Sequence, residues 1–385
     1  MSALFSVGFR SLFLCSAFSA AFASSLWGLQ LSGVQVGISL TPGWHAHEMV
    51  FGFVGAMVAG FLLTAVPSWT KSTPLSGWPL MLLCSLWGLG RLLPFTSTGP
   101  VQSLLSLASA FFLPGLLIAV GVPIVKKANR RNYGVLLIVW ILAMLSVGSL
   151  AALLGWWAQP PSRMSHAAVL ILVVLVALIG GRITPFFTGN YFKKQGRDLA
   201  LRSTSLRDHL AMGSLILTLL LWNLDAPSSI TAASAFLSAI LHASRMQNWG
   251  TLPAFKVPFL AVLHIGYFWI IVSLLLVMAH ALWPEHVAKT TALHGFTLGV
   301  IGSYGIGMMS RVSLGHTGRI IEANPPAIAA FALMGISGIF RVFAPFSTHT
   351  ATHALSIAAY SFSAAYLIFI LVFAKVLILP RPDGR

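Results

Sequence analysis

Residues 133–158, YGVLLIVWILAMLSVGSLAALLGWWA, carry no charged side chain and decide the fold class of this chain. A helix of this length crosses the hydrocarbon core of a bilayer, which is about 30 Å thick. The apolar residues do not alternate with polar ones, as they would in a strand of a membrane barrel. The stretch therefore predicts a transmembrane helix.

Similar apolar runs occupy the rest of the chain. Of its 385 residues, 57% are hydrophobic and only 8% are charged, whereas a soluble domain carries roughly 25% charged residues. The sequence therefore predicts an all-α polytopic membrane protein with about twelve transmembrane helices, forming a single membrane-embedded helical domain over residues 1–385. The first run is interpreted as a span and not as a cleavable signal peptide. The predicted spans are residues 9–29, 45–66, 78–95, 101–124, 133–158, 166–188, 209–224, 228–244, 257–283, 287–310, 325–345 and 350–379.

The net charge of +16 is distributed unevenly between the predicted loops. Basic residues gather at 126–131, at 193–197 and at Arg245, all on one predicted side, and few lie on the other. By the positive-inside rule, both termini are expected in the cytoplasm. The charge then orients the chain and contacts anionic lipids, which excludes a nucleic-acid partner. Cys15 and Cys84 lack CxxC spacing, so neither a disulfide nor a thiolate metal site is indicated.

The densest group of metal-ligand side chains lies in Trp44-His45-Ala46-His47-Glu48-Met49, at the predicted outer end of the second span. Imidazole is a common ligand of heme iron and copper, and a thioether suits Cu(I). His45, His47, Glu48 and Met49 are therefore predicted metal ligands. In a regular α-helix His45, Glu48 and Met49 share a face and His47 points elsewhere. The alternative is a set of polar side chains at the lipid headgroup level.

His294, in the tenth span, is expected at the same depth as this group. Two spans that present imidazoles at one level suit the axial ligation of a b-type heme, so His45, His47 and His294 are candidate heme ligands. Arg91 and Arg341 are expected at that level as partners of the heme propionates. The alternatives are a hydrogen bond from His294 to a backbone carbonyl, and arginines that extend to the membrane surface.

Three further sites are candidates. His264, in the ninth span, is expected to ligate a second metal, to relay protons or to make a structural hydrogen bond. Arg182 follows Gly180-Gly181 and precedes Pro185, a pattern that predicts a broken helix end of the kind used in binding sites. Arg311, His316 and Arg319 lie at the predicted cytoplasmic end of the tenth span, as a proton entry, an anion contact or a solvated loop.

Four motifs occur in order along the chain: 45–49 (HAHEM) continuing to 60–67 (GFLLTAVP), 181–190 beginning Gly-Arg, 263–267 (LHIGY) and 308–319 (MMSRVSLGHTGR). Together they resemble the NnrS family of bacterial membrane proteins over most of the chain. The family commonly has Asn-Trp-Thr-Gly after the second span, where this chain has Ser68-Trp69-Thr70-Lys71.

The resemblance implies a protein of the bacterial inner membrane that contains heme b and copper. It further implies a role in the response to nitric oxide and nitrosative stress, linked to denitrification, with a small gaseous ligand such as nitric oxide. It identifies neither a reaction nor a redox partner. The residues alone also allow a transporter of a metal or small anion, with Arg182, Glu48 and His264 as pathway groups.

Overall fold

A computed structural model describes residues 3–38, 40–96, 99–199, 201, 205–346 and 350–382. These residues are helical almost throughout, and no strand occurs among them. The all-α prediction is therefore confirmed. The main helices are α1 (Gly8–Leu31), α2 (Pro42–His47, Glu48–Val54 and Gly55–Thr70 in succession), α3 (Trp78–Gly90), α4 (Pro100–Lys126), α5 (Tyr133–Leu153), α6 (Pro161–Lys194), α7 (Ser205–Asn223), α8 (Ser228–Met246), α9 (Pro258–Leu282), α10 (Lys289–His294, Gly295–Gly302 and Ser303–Gly315 in succession), α11 (Pro325–Phe343) and α12 (Ala351–Ile378).

Each predicted span overlaps one of these helices. Among the described residues, eight helices are long and apolar enough to cross a membrane, namely α1, α2, α4, α5, α6, α9, α11 and α12. The other four, α3, α7, α8 and α10, are not among them; α3 has only 13 residues. The protein is therefore a multi-pass membrane protein, and the count of twelve spans and the cytoplasmic termini stay predictions.

The chain forms two compact units. The first contains Met1–Ile171, Met309–Ile321 and Phe362–Arg385, and the second contains Leu172–Met308 and Glu322–Ser361. In the first unit, α1 packs closely on α2 because small residues remove steric bulk. A Cβ atom at Gly60 would lie 2.8 Å from Cδ1 of Phe13, and one at Gly8 would lie 2.6 Å from Cβ of Leu63. Such close approach replaces the hydrophobic driving force that helices lack within lipid.

The end of α12 is held within the first unit by a buried arginine. Nη1 of Arg10 donates to the carbonyl oxygens of Leu377 and Leu379, at 2.8 and 2.7 Å. Carbonyls in the last turn of a helix have no partner in the helix itself, and a basic side chain is a favourable one. Arg10 therefore caps the end of α12.

In the second unit, α9 packs against α8 and against the Gly295–Gly302 segment of α10. A Cβ atom at Gly299 would collide with the ring of Trp269, so only glycine allows this ring to lie against the backbone. Helix α6 runs without interruption from Pro161 to Lys194. The predicted broken helix end at Gly180, Gly181 and Pro185 is therefore wrong, because the two glycines accommodate neighbouring side chains and the helix continues through the proline.

Candidate functional site

Two π-helical segments adjoin the predicted heme ligands. Glu48–Val54 follows His47 in α2, and Gly295–Gly302 follows His294 in α10. π-Helical turns are rare, and those that exist are often found at functional sites. Their backbone hydrogen bonds join residues five apart instead of four, which changes the directions of the side chains. In α2 the carbonyl of Gly52, within this segment, also accepts a hydrogen bond from Nε1 of Trp87 at 2.9 Å.

Helix α2 begins with a capped N-terminus, ahead of its π segment. Oγ1 of Thr41 accepts a hydrogen bond from the backbone N–H of Trp44 at 3.1 Å, and Pro42 occupies the first helical position. Both are standard N-terminal helix features. The ring of His45 stacks on Trp27 of α1, with centroids 4.5 Å apart and an angle of 18° between the planes. Met49 is half-buried.

His47 is buried and only one of its ring nitrogens has a hydrogen-bond partner. The side chain is 2% exposed, and its Nδ1 lies 3.0 Å from Oγ of Ser149 in α5. Its Nε2 is buried without a hydrogen-bond partner among the described residues. Buried polar atoms are nearly always paired, so this nitrogen is a candidate position for a bound group. A histidine held through one nitrogen with the other one free is prepared for metal ligation.

The carboxylate of Glu48 pairs with Arg91, at the end of α3. Oε2 of Glu48 lies 3.2 Å from Nε of Arg91. Nη2 of Arg91 reaches Oγ of Ser109 at 3.4 Å, and its Nη1 is buried without a hydrogen-bond partner in the described part of the chain. A Cβ atom at Gly52 would collide with Nη1. The sequence assigned Glu48 to a metal and Arg91 to a propionate, whereas here the two side chains contact each other.

The candidate residues of the second unit make hydrogen bonds of their own. Nε2 of His264 lies 3.0 Å from Oγ1 of Thr188, and its Nδ1 lies 3.1 Å from Oγ1 of Thr251. Both ring nitrogens are thus occupied, which is the structural alternative considered for His264. Nδ1 of His294 lies 2.7 Å from the carbonyl oxygen of Thr290. A carbonyl only accepts, so Nδ1 carries a proton and the lone pair of neutral His294 is on Nε2.

The remaining candidates lie at helix ends or on exposed faces. Arg182 is exposed on the continuous helix α6, and Arg341 is half-buried in the last turn of α11. In the first unit, Nη1 of Arg319 donates to the carbonyl of Thr317 at 3.3 Å. Arg311, near the end of α10, is half-buried.

His316 lies just beyond α10 and is partly desolvated. Its ring centroid is 5.7 Å from that of Phe9, and its carbonyl accepts a hydrogen bond from Nη1 of Arg381 at 3.2 Å. Burial, with a smaller contribution from the charge of Arg381, lowers the pKa of His316. The imidazole is therefore neutral near pH 7, and an anion contact at this position would depend on the arginines.

A buried polar network in the second unit was not predicted. The sequence counted Arg245 as a loop cation, but its side chain is buried in the last turn of α8. Its Nε donates to Oδ1 of Asp208 at 2.7 Å, and its Nη1 donates to the hydroxyl of Tyr267 at 2.7 Å and to the carbonyl of Ala177 at 3.1 Å. The guanidinium lies against Gly181, where a Cβ atom would collide with it.

His242 completes this network. Its Nε2 lies 3.0 Å from the carbonyl of Ala211 and its Nδ1 lies 2.8 Å from the hydroxyl of Tyr267. The carbonyl requires the proton on Nε2, so Tyr267 donates to Nδ1 and accepts from Arg245. One signal was available in the sequence: His242 and Arg245 are three residues apart and share a helix face.

The described residues contain no group of three or more His, Cys, Asp or Glu side chains arranged to hold a metal ion.

The long apolar helices define a multi-pass membrane protein, in which the buried Nε2 of His47 has no hydrogen-bond partner among the described residues. The model of the NnrS protein family matches residues 3–381, and the chain therefore belongs to the NnrS family. No curated protein matches the sequence.

Proposed function

We propose that this NnrS-family protein binds heme b in the bacterial inner membrane and acts in the response to nitric oxide and nitrosative stress, in cells that carry out denitrification. The observation that supports heme binding most strongly is His47. Its Nδ1 is held by Ser149, and its buried Nε2 has no hydrogen-bond partner among the described residues. Family membership supports the link to nitric oxide.

His47 is the proposed axial ligand. The heme iron would supply the position at which a small gas such as nitric oxide binds. The orphaned Nη1 of Arg91 suits an anionic group such as a propionate, and the absence of a side chain at Gly52 leaves room for that nitrogen. Arginine suits this role because its planar guanidinium binds carboxylates in a fixed geometry.

Candidate residues also exist outside this segment. In the second unit, His294 is a candidate ligand through Nε2, and Arg341 is a candidate partner of a carboxylate. Copper, which the family resemblance implies, has candidate donors in the imidazole of His45 and the thioether of Met49. Glu48 and His264, also predicted as metal ligands, have other partners in the structure.

The alternative of a transporter has lost part of its support. It relied on a broken helix at Arg182, but α6 is continuous there. It also relied on pathway groups in the membrane, but Glu48 is paired with Arg91 and His264 is hydrogen-bonded through both nitrogens.

The test is a visible spectrum of the protein purified in mild detergent from heme-replete cells, oxidised and dithionite-reduced, with and without nitric oxide. Metal analysis on the same sample counts iron and copper. We expect a Soret band that shifts on reduction and with nitric oxide. His47→Ala should remove or displace this band, and Ser149→Ala should shift it while the heme stays bound.

His286→Ala is the matched control, because His286 is exposed and contacts only Glu285 among the described side chains. Its spectrum should equal that of the wild type. A folded wild-type protein with a featureless spectrum would overturn the proposal and favour transport. Heme that is bound with an unchanged spectrum in His47→Ala would exclude His47 as the ligand.

A further inference from the structure

The two cysteines of the chain, which are distant in sequence, lie side by side in the first unit. Cys15 is on α1 and Cys84 is on α3, and the contact of Cys84 with Ser11 brings this part of the two helices together. Sγ of Cys84 lies 3.4 Å from Oγ of Ser11, one helical turn before Cys15. Residues four apart share a helix face, so the Ser11 contact shows that this face of α1 meets Cys84.

Both sulfurs are free thiols and both side chains are half-buried. The surface beside them is apolar. Phe18, one turn after Cys15, is 59% exposed, and Met81, one turn before Cys84, is 48% exposed. On helices of a membrane protein, such side chains face lipid or another apolar surface. The reactant that reaches this pair most readily is therefore an apolar molecule dissolved in the lipid.

The chemistry of the pair is restricted by the low dielectric around it. The polar side chain that contacts the thiols, among the described residues, is the neutral hydroxyl of Ser11. Two thiolates around a monovalent cation would leave a net negative charge, and burial of an uncompensated charge is very costly. Oxidation to a disulfide leaves no charge, because the two protons leave with the two electrons.

We propose that Cys15 and Cys84 are a redox pair that a lipid-soluble quinone oxidises to an intramolecular disulfide. Two S–H bonds break and one S–S bond forms. The two electrons and two protons pass to the quinone, which leaves as the quinol. The disulfide links α1 to α3, and thiol–disulfide exchange with a small dithiol reverses the reaction. Heme is not required for this reaction, so the proposal is independent of the proposed function.

The test uses the full-length protein in detergent, fully reduced and freed of reductant under nitrogen. A short-chain ubiquinone analogue is added in equimolar amount, the reaction is quenched with acid, and free thiols are alkylated after unfolding. Mass spectrometry of the intact protein and its peptides then counts free thiols and identifies the disulfide. We expect loss of both free thiols, a Cys15–Cys84 disulfide and one quinol per protein.

Cys15→Ser and Cys84→Ser are the matched controls, because each keeps one thiol in the same surroundings. Neither should form an intramolecular disulfide or yield an equivalent of quinol. The proposal is overturned if the wild-type protein keeps both thiols free in the presence of the quinone. A disulfide that forms with diamide, a water-soluble oxidant, but not with the quinone would likewise overturn the assignment of the oxidant.

Discussion

Tyr267→Phe tests whether the buried network of Arg245, Tyr267 and His242 stabilises the fold. The substitution removes one hydroxyl and leaves the shape of the side chain nearly unchanged. Nδ1 of His242 then loses its donor, 2.8 Å away, in a site where the histidine is fully buried. A buried acceptor left unsatisfied costs about 1–3 kcal/mol.

The second lost hydrogen bond costs less. Nη1 of Arg245 loses the hydroxyl but retains the carbonyl of Ala177 at 3.1 Å, so about 1 kcal/mol is expected for it. Hydrogen bonds between helices of membrane proteins average about 0.6 kcal/mol, which gives about 1 kcal/mol for the pair as the smaller of the two expectations. We therefore expect Tyr267→Phe to lower the free energy of unfolding by about 2 kcal/mol.

The measurement is unfolding in mixed micelles with increasing SDS, followed by far-UV circular dichroism and tryptophan fluorescence. Tyr133→Phe is the control, because Tyr133 is 42% exposed at the start of α5, and a surface substitution changes stability by less than about 0.5 kcal/mol. If Tyr267→Phe were as stable as Tyr133→Phe, the network would not contribute to stability and the reasoning would be refuted.

Three other predictions follow from the same physical arguments. Glu48→Gln leaves the Arg91 guanidinium without its counter-charge, so we expect the free energy of unfolding to fall by about 2–3 kcal/mol. Glu285→Gln, on an exposed loop, is the control in the same SDS titration and should have no effect. Adding Arg91→Gln to Glu48→Gln should recover part of that loss, and simple additivity of the two substitutions would exclude coupling between them. Gly181→Ala should lower the free energy of unfolding by about 1–3 kcal/mol, because the added methyl group collides with Arg245. Gly213→Ala is the control on α7, where the added methyl group meets open space, and it should be neutral or stabilising. Equal stabilities of the two variants would contradict the observed packing. The pKa of His316 is lower in the folded protein than in the unfolded chain, so the unfolded chain binds the proton more readily. The contribution of this residue to stability is therefore present above the ordinary histidine pKa of about 6.5 and is lost as the pH falls below it. Unfolding of His316→Asn should therefore depend less on pH between about 7 and 5 than unfolding of the wild type, and identical pH profiles would show that the group does not titrate differently on folding.

Much of the fold was accessible from the sequence because membrane helices follow from a local property. An apolar run such as 133–158 must pair its own backbone polar groups within lipid, whatever its neighbours are. The helices accordingly overlap the predicted runs, and the glycine pair and proline near Arg182 mattered less than the length of the apolar run. Gly180, Gly181 and Pro185 would end a helix in water, yet α6 continues past them.

Only part of the candidate site could be predicted from the sequence. The group 44–49 could be recognised because several ligand types fall within a few residues. The α-helical spacing assumed for it holds only as far as His47, because the helix has π-helical geometry from Glu48 to Val54. The single-residue preferences of Gly, Phe and Val do not reveal a π segment, because it depends on the helices that pack around it.

The all-helical membrane class, the family resemblance and the segment that carries His47 could be read from the amino-acid sequence. The contacts between side chains on different helices could not: Glu48 with Arg91, Cys84 with Ser11, Arg245 with Asp208 and Tyr267, and Tyr267 with His242. The reason is physical. Hydropathy is a sum over neighbours along the chain, whereas each of these contacts joins residues on different helices and depends on how those helices pack.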